Sequence, residues 1–203
     1  GTYNLNDTLG EVGTGDSNGD NYYMHAGYWQ MGQSYISISS PSDLNMAPMG
    51  GLSGGSSEGT MSWNVLTDNT AGYSMSISAT TSPAMQSAQD YLSDYVPNSG
   101  GNPDYEFINA PTDSSFGFSP EGEDTYSRFK DDGSSCGTGG NLQTTGKCWD
   151  GLSTTPKIIS ERTSANIPSG SPVTVRFRAE SGADHIQTSG DYNVTIVVTA
   201  TTL

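Results

Sequence analysis

Between Gly190 and Leu203 apolar and polar positions alternate. Tyr192, Val194, Ile196, Val198 and Ala200 fall on one face of an extended chain, and Asn193, Thr195, Thr199 and Thr201 on the other, with Val197 as the exception. A period of two in β-branched residues predicts a half-buried strand. Val173, Val175, Phe177 and Ala179 alternate in the same way with Thr174, Arg176 and Arg178, and Gly182 and Gly190 lie between the two runs. Residues 173–203 are therefore expected to form a long antiparallel pair that closes the core. Upstream, 35–39 predicts a short strand stopped by Pro41. Met61, Trp63 and Val65 alternate on one further strand and Tyr73, Met75, Ile77 and Ala79 on the next. The turn residues Asp68-Asn69-Thr70-Ala71-Gly72 between them predict a hairpin. Residues 157–160 predict one more short strand.

The remaining segments are less periodic. Ala84, Met85, Ala88, Tyr91, Leu92 and Tyr95 have mixed three- and four-residue spacings, which predict a short helix within 83–95. Residues 97–127 read as irregular, anchored by Tyr105, Phe107, Phe116 and Phe118. The whole stretch from about 80 to 156 is expected to be a long insertion, of the kind that decorates one end of a domain or carries binding. At the other end of the chain, Tyr3, Leu5 and Leu9 alternate with Asn4, Asn6 and Thr8. Gly10, Gly13, Gly15 and Gly19 then break the pattern, and 21–29 is extended again. The domain expectation is an extended N-terminal arm, 1–31, followed by an all-β domain, 32–203. The fold class expected is an antiparallel β-sandwich, jelly-roll or immunoglobulin-like, with that arm and that irregular insertion.

Composition narrows the functional classes. The chain of 203 residues is 32% hydrophobic, but eleven Tyr and three Trp in alternating runs separate it from disordered sequences. No run approaches the roughly 20 apolar residues of a membrane-spanning helix, so no membrane span is expected. The net charge is −15, and its placement is uneven: every Lys and Arg lies from Arg128 to Arg178, whereas most acids precede Arg128. The part before Arg128 can form no internal Lys or Arg salt bridge. A surface without clustered cations is a poor partner for nucleic acid.

Candidate chemistry is sparse. Cys136 and Cys148 flank a Gly-rich stretch with no His nearby and no CxxC pair, which points to a disulfide rather than zinc and to an oxidising compartment. The start at Gly1-Thr2-Tyr3 is that expected of a processed mature chain, so the protein is expected at the cell surface or outside the cell. Asp16, Asn18 and Asp20 place oxygens at alternate positions of a Gly-jointed loop, the type of ligand Ca²⁺ takes, although the EF-hand glutamate is absent because its position is Gly27. Glu121, Glu123, Asp124, Asp131 and Asp132 form a second acidic cluster. His25 and His185 are too scattered for a general base or metal pair, and no GxSxG elbow is present, so no catalytic residue is assigned and an enzyme is not expected. Tyr22, Tyr23, Tyr28 and Trp29, and separately Tyr91, Tyr95 and Tyr105, are candidate sugar-stacking platforms. Asn6 and Asn193 head glycosylation sequons.

Two resemblances add to this. The run Thr8-Leu9-Gly10-Glu11-Val12-Gly13-Thr14-Gly15, followed by Asn21-Tyr22-Tyr23-Met24-His25-Ala26-Gly27-Tyr28-Trp29, resembles an N-terminal module of secreted bacterial proteins and implies secretion. The two runs 67–77 and 190–200 together resemble immunoglobulin-like or jelly-roll domains of bacterial surface and pilin-type proteins. An isolated apolar strand cannot stay exposed in water with its backbone unpaired, so the arm must pair with its own domain or with a neighbour. Pairing with a neighbour is β-augmentation, and repeated head to tail it makes a fibre. The expected function is a structural subunit of an extracellular filament, similar in architecture to biofilm-fibre and bundling-pilin proteins. Tyr3, Leu5, Leu9 and Val12 of one copy would fill a groove of the next, so the expected partner is a further copy of the same chain. The alternative is a carbohydrate-binding or adhesin domain. Ca²⁺ is the one cofactor considered.

Overall fold

The computed structural model describes residues 15–19, 22–26, 34–98, 100–137 and 139–203. The chain divides into two compact units, Gly1–Tyr35 and Ile36–Leu203. In the first, β1 (Gly15–Gly19) and β2 (Tyr22–Ala26) pair antiparallel, with Gly15 opposite Ala26 and Gly19 opposite Tyr22. This corrects one expectation: Gly15 and Gly19 bound a strand instead of breaking one.

The second unit holds β3 (Ile36–Ile38), β4 (Gly55–Thr67), β5 (Tyr73–Ala79), β6 (Met85–Gln86), β7 (Tyr91–Asp94), β8 (Ser114–Glu121), β9 (Asp150–Gly151), β10 (Lys157–Arg162), β11 (Ser171–Ser181) and β12 (Ile196–Thr202). No α-helix occurs among the described residues, and one 3-10 turn covers Ser127–Phe129. The fold is all-β, as expected. The larger sheet has the order β3-β4-β11-β8-β7-β6, with β9 added to β8, and the smaller has the order β10-β5-β12. The pairings are antiparallel except β7 with β8, which is parallel; the expectation of a wholly antiparallel sandwich is corrected there.

Both sheets feed one core. From the smaller sheet come Tyr73, Met75 and Ile77 of β5 and Ile159 of β10; from the larger come Trp63 and Val65 of β4, Phe116 and Phe118 of β8, and Val173, Val175 and Phe177 of β11. β11 buries every second residue from Ser171 to Ser181 and pairs along its length with β4 and for most of it with β8. Its alternating pattern therefore marks the middle of a sheet.

Strand positions were legible, but strand partners were not. β11 and β12 do not pair: β12 bonds β5 in the other sheet. The connection between them is held where it lies by Asp90, whose Oδ2 accepts from Gln187 Nε2 at 2.8 Å and from the Thr188 N–H at 3.0 Å. The Thr188 N–H, with that of Tyr91, holds the Asp90 carboxyl below the usual carboxylate range. β4 and β5 likewise enter different sheets, so the expected hairpin is a crossover. Its turn is nonetheless the one the sequence announces: Gly72 N–H bonds Asn69 O at 3.0 Å, and Gly72 has φ +91°. A Cβ there would lie 1.8 Å from the Arg162 carbonyl oxygen, so only glycine lets the crossover pass.

Two further corrections fall between 80 and 127. The expected helix is a hairpin of β6 and β7, with Met85 opposite Leu92. The Ser87 hydroxyl accepts the Asp90 N–H at 3.0 Å and closes the turn, and Asp94 Oδ1 takes the Ala84 N–H at 2.7 Å. Buried residues at the two ends of a hairpin imitate helical spacing. The stretch expected to be irregular contains β8, which sits between β11 and β7. Gly117 and Pro120 hid it. Gly117 is required because a Cβ would meet Asp150 O, Phe107 and Tyr95, each at 3.0 Å.

The uneven charge is resolved by long-range pairing. Arg178 bonds Glu58 at 2.6 Å, Arg176 bonds Glu121 at 2.8 Å, Arg162 bonds Asp124 at 3.2 Å, and Lys147 pairs with Glu106. Buried Asp150 is paired with both Arg128 and Lys157 at 2.8 Å. Tyr73, fully buried, donates to Asp124 Oδ2 at 3.0 Å and lies 3.1 Å from Ser160 Oγ. Burial, with the Asp124 charge beside it, pushes the Tyr73 phenol up to about 12. A raised folded value means stability is complete below pH about 10 and declines as pH rises from there to about 12, by roughly 2–3 kcal/mol from this residue. Urea unfolding across that range is expected to show the decline, and Tyr73→Phe to flatten it. Some decline will remain, because burial raises the Tyr95 phenol as well.

Candidate functional site: an open sheet edge

Among the described strands β12 has one hydrogen-bonded partner, β5. The bonds from Thr80 N–H to Thr195 O at 3.1 Å and from Leu203 N–H to Gly72 O at 3.2 Å bracket its ladder with β5. In an antiparallel pair, residues alternate between directing their N–H and C=O toward the partner and away from it. The odd-numbered residues thus face β5, and the backbone groups of Ile196, Val198, Ala200 and Thr202 face the other way. Among the described strands β12 pairs with β5 alone, so that second side is a sheet edge. The same even-numbered side chains form the inner face and are half-buried, while Val197, Thr199 and Thr201 are exposed. The inward face predicted for this strand is the one found.

Across from this edge stands β3, which pairs with β4 through Ile36 opposite Thr67 and Ile38 opposite Val65. Ser39 continues the ladder, donating its N–H to Asn64 O at 3.0 Å. By the same alternation, the Ile36 and Ile38 backbones point away from β4. Between the two edges lies a cleft of about 320 Å³, with Ile38, Met61 and Trp63 on one side, Ile196 and Val198 on the other, and Ser39, Ser40 and Asp43 at its rim. Trp63 is 7% exposed and forms part of the core, whereas Ile38 is 39% exposed. The cleft is a gap where two sheets that share a core part at one side.

Edge strands of soluble proteins are ordinarily blunted by Lys, by Pro or by an inward-pointing charge. β12, Ile-Val-Val-Thr-Ala-Thr-Thr, has none of these. What the edge can do is accept a strand: the backbone supplies hydrogen bonds and the cleft takes alternate side chains. This site was missed in the sequence because β12 was expected to be covered by β11. Its lack of charge was the available signal.

The sequence-predicted residues are dispersed. Tyr3, Leu5, Leu9, Val12, Asn6 and Asp20 lie outside the described residues. Asp16 and Asn18 belong to β1, opposite His25 and Tyr23, so the loop expected to curl around Ca²⁺ is a strand at those two positions. In the second acidic cluster Glu121, Asp124, Asp131 and Asp132 are engaged by protein donors, and Glu123 is exposed. Asp131 accepts from the Gly133 and Thr144 N–H groups, each at 2.9 Å, and from Thr144 Oγ1 at 3.0 Å; Asp132 caps the turn at 133–135; Glu121 and Asp124 hold arginines. No cluster of three or more potential metal ligands occurs among the described residues. Asn193 is exposed and bridges β6 through its backbone to Gln86.

The tyrosines at 91, 95 and 105 do not form one exposed platform. Tyr91 is exposed, but Tyr95 is buried, bonded to Asp104 Oδ2 at 2.7 Å and stacked on Phe107, and the Lys147 ammonium lies over Tyr105. His185 Nδ1 lies 2.9 Å from the Thr112 carbonyl oxygen. Among the described residues no helix is long and apolar enough to cross a membrane. The chain matches no family model, no curated protein and no solved structure.

The expected disulfide is present: Cys136 and Cys148 are bonded, with Cα atoms 5.7 Å apart. Both sulfurs are buried against the core, beside a loop that Asp131 clamps from within. On the loop-closure model a cross-link over 12 residues of separation contributes about 2–3 kcal/mol. Reduction is expected to lower the unfolding free energy by that amount, seen as a lower denaturation midpoint at unchanged slope, while the far-ultraviolet β signal at low denaturant persists, because the sheets do not pass through the loop.

Proposed function

We propose that the protein is the repeating subunit of an extracellular filament, joined to its neighbours by strand addition through residues 1–14. The observation that supports this most directly is the β12 edge, uncharged and unblunted, beside a cleft of mixed polar and apolar lining. An edge of that kind is an aggregation hazard unless something covers it, and a chain that uses it for ordered assembly turns the hazard into a contact. The alternating Tyr3, Leu5 and Leu9 supply the complementary pattern. The disulfide supports secretion, since it persists only where thiols are not kept reduced.

A second reading has one observation in its favour. The cleft has a polar rim at Ser39, Ser40 and Asp43 beside Ile38 and Met61, and its size is at the lower end of ligand sites. This is the adhesin reading, and in it the subunit stays monomeric.

Solution size and negative-stain imaging separate the two. The full chain is expected to form filaments, and the chain lacking residues 1–14 to remain a folded monomer, because the described core lies within the second unit. Two copies each carrying −15 repel one another, and about 0.1 M salt shortens the reach of that repulsion to about 10 Å. Assembly is therefore expected to strengthen as salt rises from 10 to 150 mM. A full chain that stays monomeric at every salt concentration while binding glycans would overturn the filament.

A further inference from the structure

One end of the larger sheet carries a polar notch that is independent of the filament reading. On the inner face, Ala179 of β11 stands opposite Ser57 of β4 and Phe116 of β8, and two residues further Ser181 stands opposite Gly55 and Ser114. Within one step along β11 the face turns from apolar to hydroxyl. Ser57, Ser114 and Ser181 are 6%, 5% and 3% exposed. The Ser57 and Ser181 Oγ atoms are buried and have no hydrogen-bond partner within the protein. Buried polar atoms are almost always partnered, by the protein or by ordered water.

We infer that Ser57 and Ser181 hold an internal water, in the corner left by the missing side chain of Gly55, with the Gly50 N–H as its third partner. Residues directly opposite on paired strands share a face, so the Gly55 position adjoins both hydroxyls. A Cβ there would meet, beyond its chain neighbours, the Gly50 nitrogen alone within 4 Å, at 3.5 Å. The corner therefore has room, and φ +154° at Gly55 keeps it free of a side chain. Ser57 and Ser181 are diagonal neighbours, a relation that sets residues about 7 Å apart, too far for one hydroxyl to bond the other directly. Two hydrogen bonds of about 2.8 Å through one water, with the reach of the side chains, cover that gap.

The chemistry of the corner selects water. A hydroxyl both donates and accepts, an amide N–H donates, and an internal water typically makes about three such bonds. The nearest charges along these strands, Glu58 and Glu180, bond Arg178 on the opposite face of the sheet, so the corner presents neutral groups to a neutral guest. Through Gly50 the water ties the 50–54 loop to the ends of β4 and β11, next to the bond from Gln187 N–H to Gly51 O at 2.9 Å.

Ser57→Ala and Ser181→Ala test this by the sign of their effect. A hydroxyl without a guest is a buried polar group whose removal stabilises the fold, whereas a hydroxyl that holds water leaves the water short of a partner when it is removed. Urea unfolding of the full chain is measured for the parent, both single variants and the double variant, in 10 mM sodium chloride and in 10 mM choline chloride. Water-to-amide cross-relaxation is recorded by NMR on the parent at Gly50, Ser57 and Ser181, a readout that needs no variant to fold.

Each single variant is expected to raise the unfolding constant at least threefold, and the double variant to raise it less than twofold beyond the larger single effect, because the second change finds no water left to lose. The parent is expected to show cross-relaxation from a long-lived water at Gly50, Ser57 and Ser181, and equal stability in the two salts. Single variants that leave the unfolding constant unchanged or lower it would overturn the water, as would effects that multiply in the double variant or an absence of cross-relaxation in the parent. A parent more stable in sodium than in choline, with the difference lost in Ser181→Ala, would make the guest a monovalent cation and overturn water as its identity.

Discussion

The strand Ser171–Ser181 is the constraint around which the second unit is arranged. Pairing with β4 on one side and β8 on the other, it commits its odd-numbered residues to the core and its even-numbered ones to the opposite face. Inward, Phe177 lies parallel to Phe116 with ring centroids 6.0 Å apart, and Val173 and Val175 meet the residues of the smaller sheet. Outward, Arg176 and Arg178 face neighbouring carboxylates: Glu58 from β4 reaches both, Glu121 from β8 holds Arg176, and Glu180 holds Arg178 at 2.6 Å. The carboxylate at Glu121 keeps the Arg176 guanidinium above its ordinary range. A register slip by one residue would invert both faces at once, placing arginines in the core.

That arrangement explains how a chain with such lopsided charge folds. Six of its seven Lys and Arg residues are spent inside the unit, on Glu58, Glu106, Glu121, Asp124, Asp150 and Glu180. Buried carboxylates require such partners, because desolvating an unpaired charge is prohibitively unfavourable. Asp104 and Asp131 are buried as well and are held by neutral donors such as Tyr95 and Thr144, and the net charge of −15 keeps copies apart at long range. Short-range attraction between copies then has to come from backbone hydrogen bonds and apolar contact, which is what an uncharged edge beside a cleft offers. The polarity of the surface and the chemistry of the open edge are thus two consequences of one distribution of residues.

The open edge itself follows from a mismatch in size. The larger sheet continues through β3 on the side where the smaller one stops at β12. β3 is three residues long, and Ile38 with Ser39–Pro41 lines the cleft beside Ile196 and Val198 of β12. Apolar side chains from both edges are left half-covered. The residues that line the cleft were individually apparent as strand residues, but their meeting depends on which sheet each strand joins.

What the sequence determined by itself is local. The alternation of β4, β5, β11 and β12, the turn at Asn69–Gly72, the inner face of β12 and the Cys136–Cys148 bond all follow from periodicity, turn chemistry and cysteine spacing, which act over a few residues. β8 was hidden by Gly117 and Pro120, and β6 and β7 by a spacing that suits a helix as well as a hairpin. Only the tertiary structure decided partnership: β4 from β5, and β11 from β12, are separated into different sheets by contacts such as Asp90 with Gln187 and Tyr73 with Asp124. A strand's pattern encodes which face is buried, and it carries no information about which neighbour completes its hydrogen bonds. That β12 pairs with β5 alone among the described strands follows from that second choice.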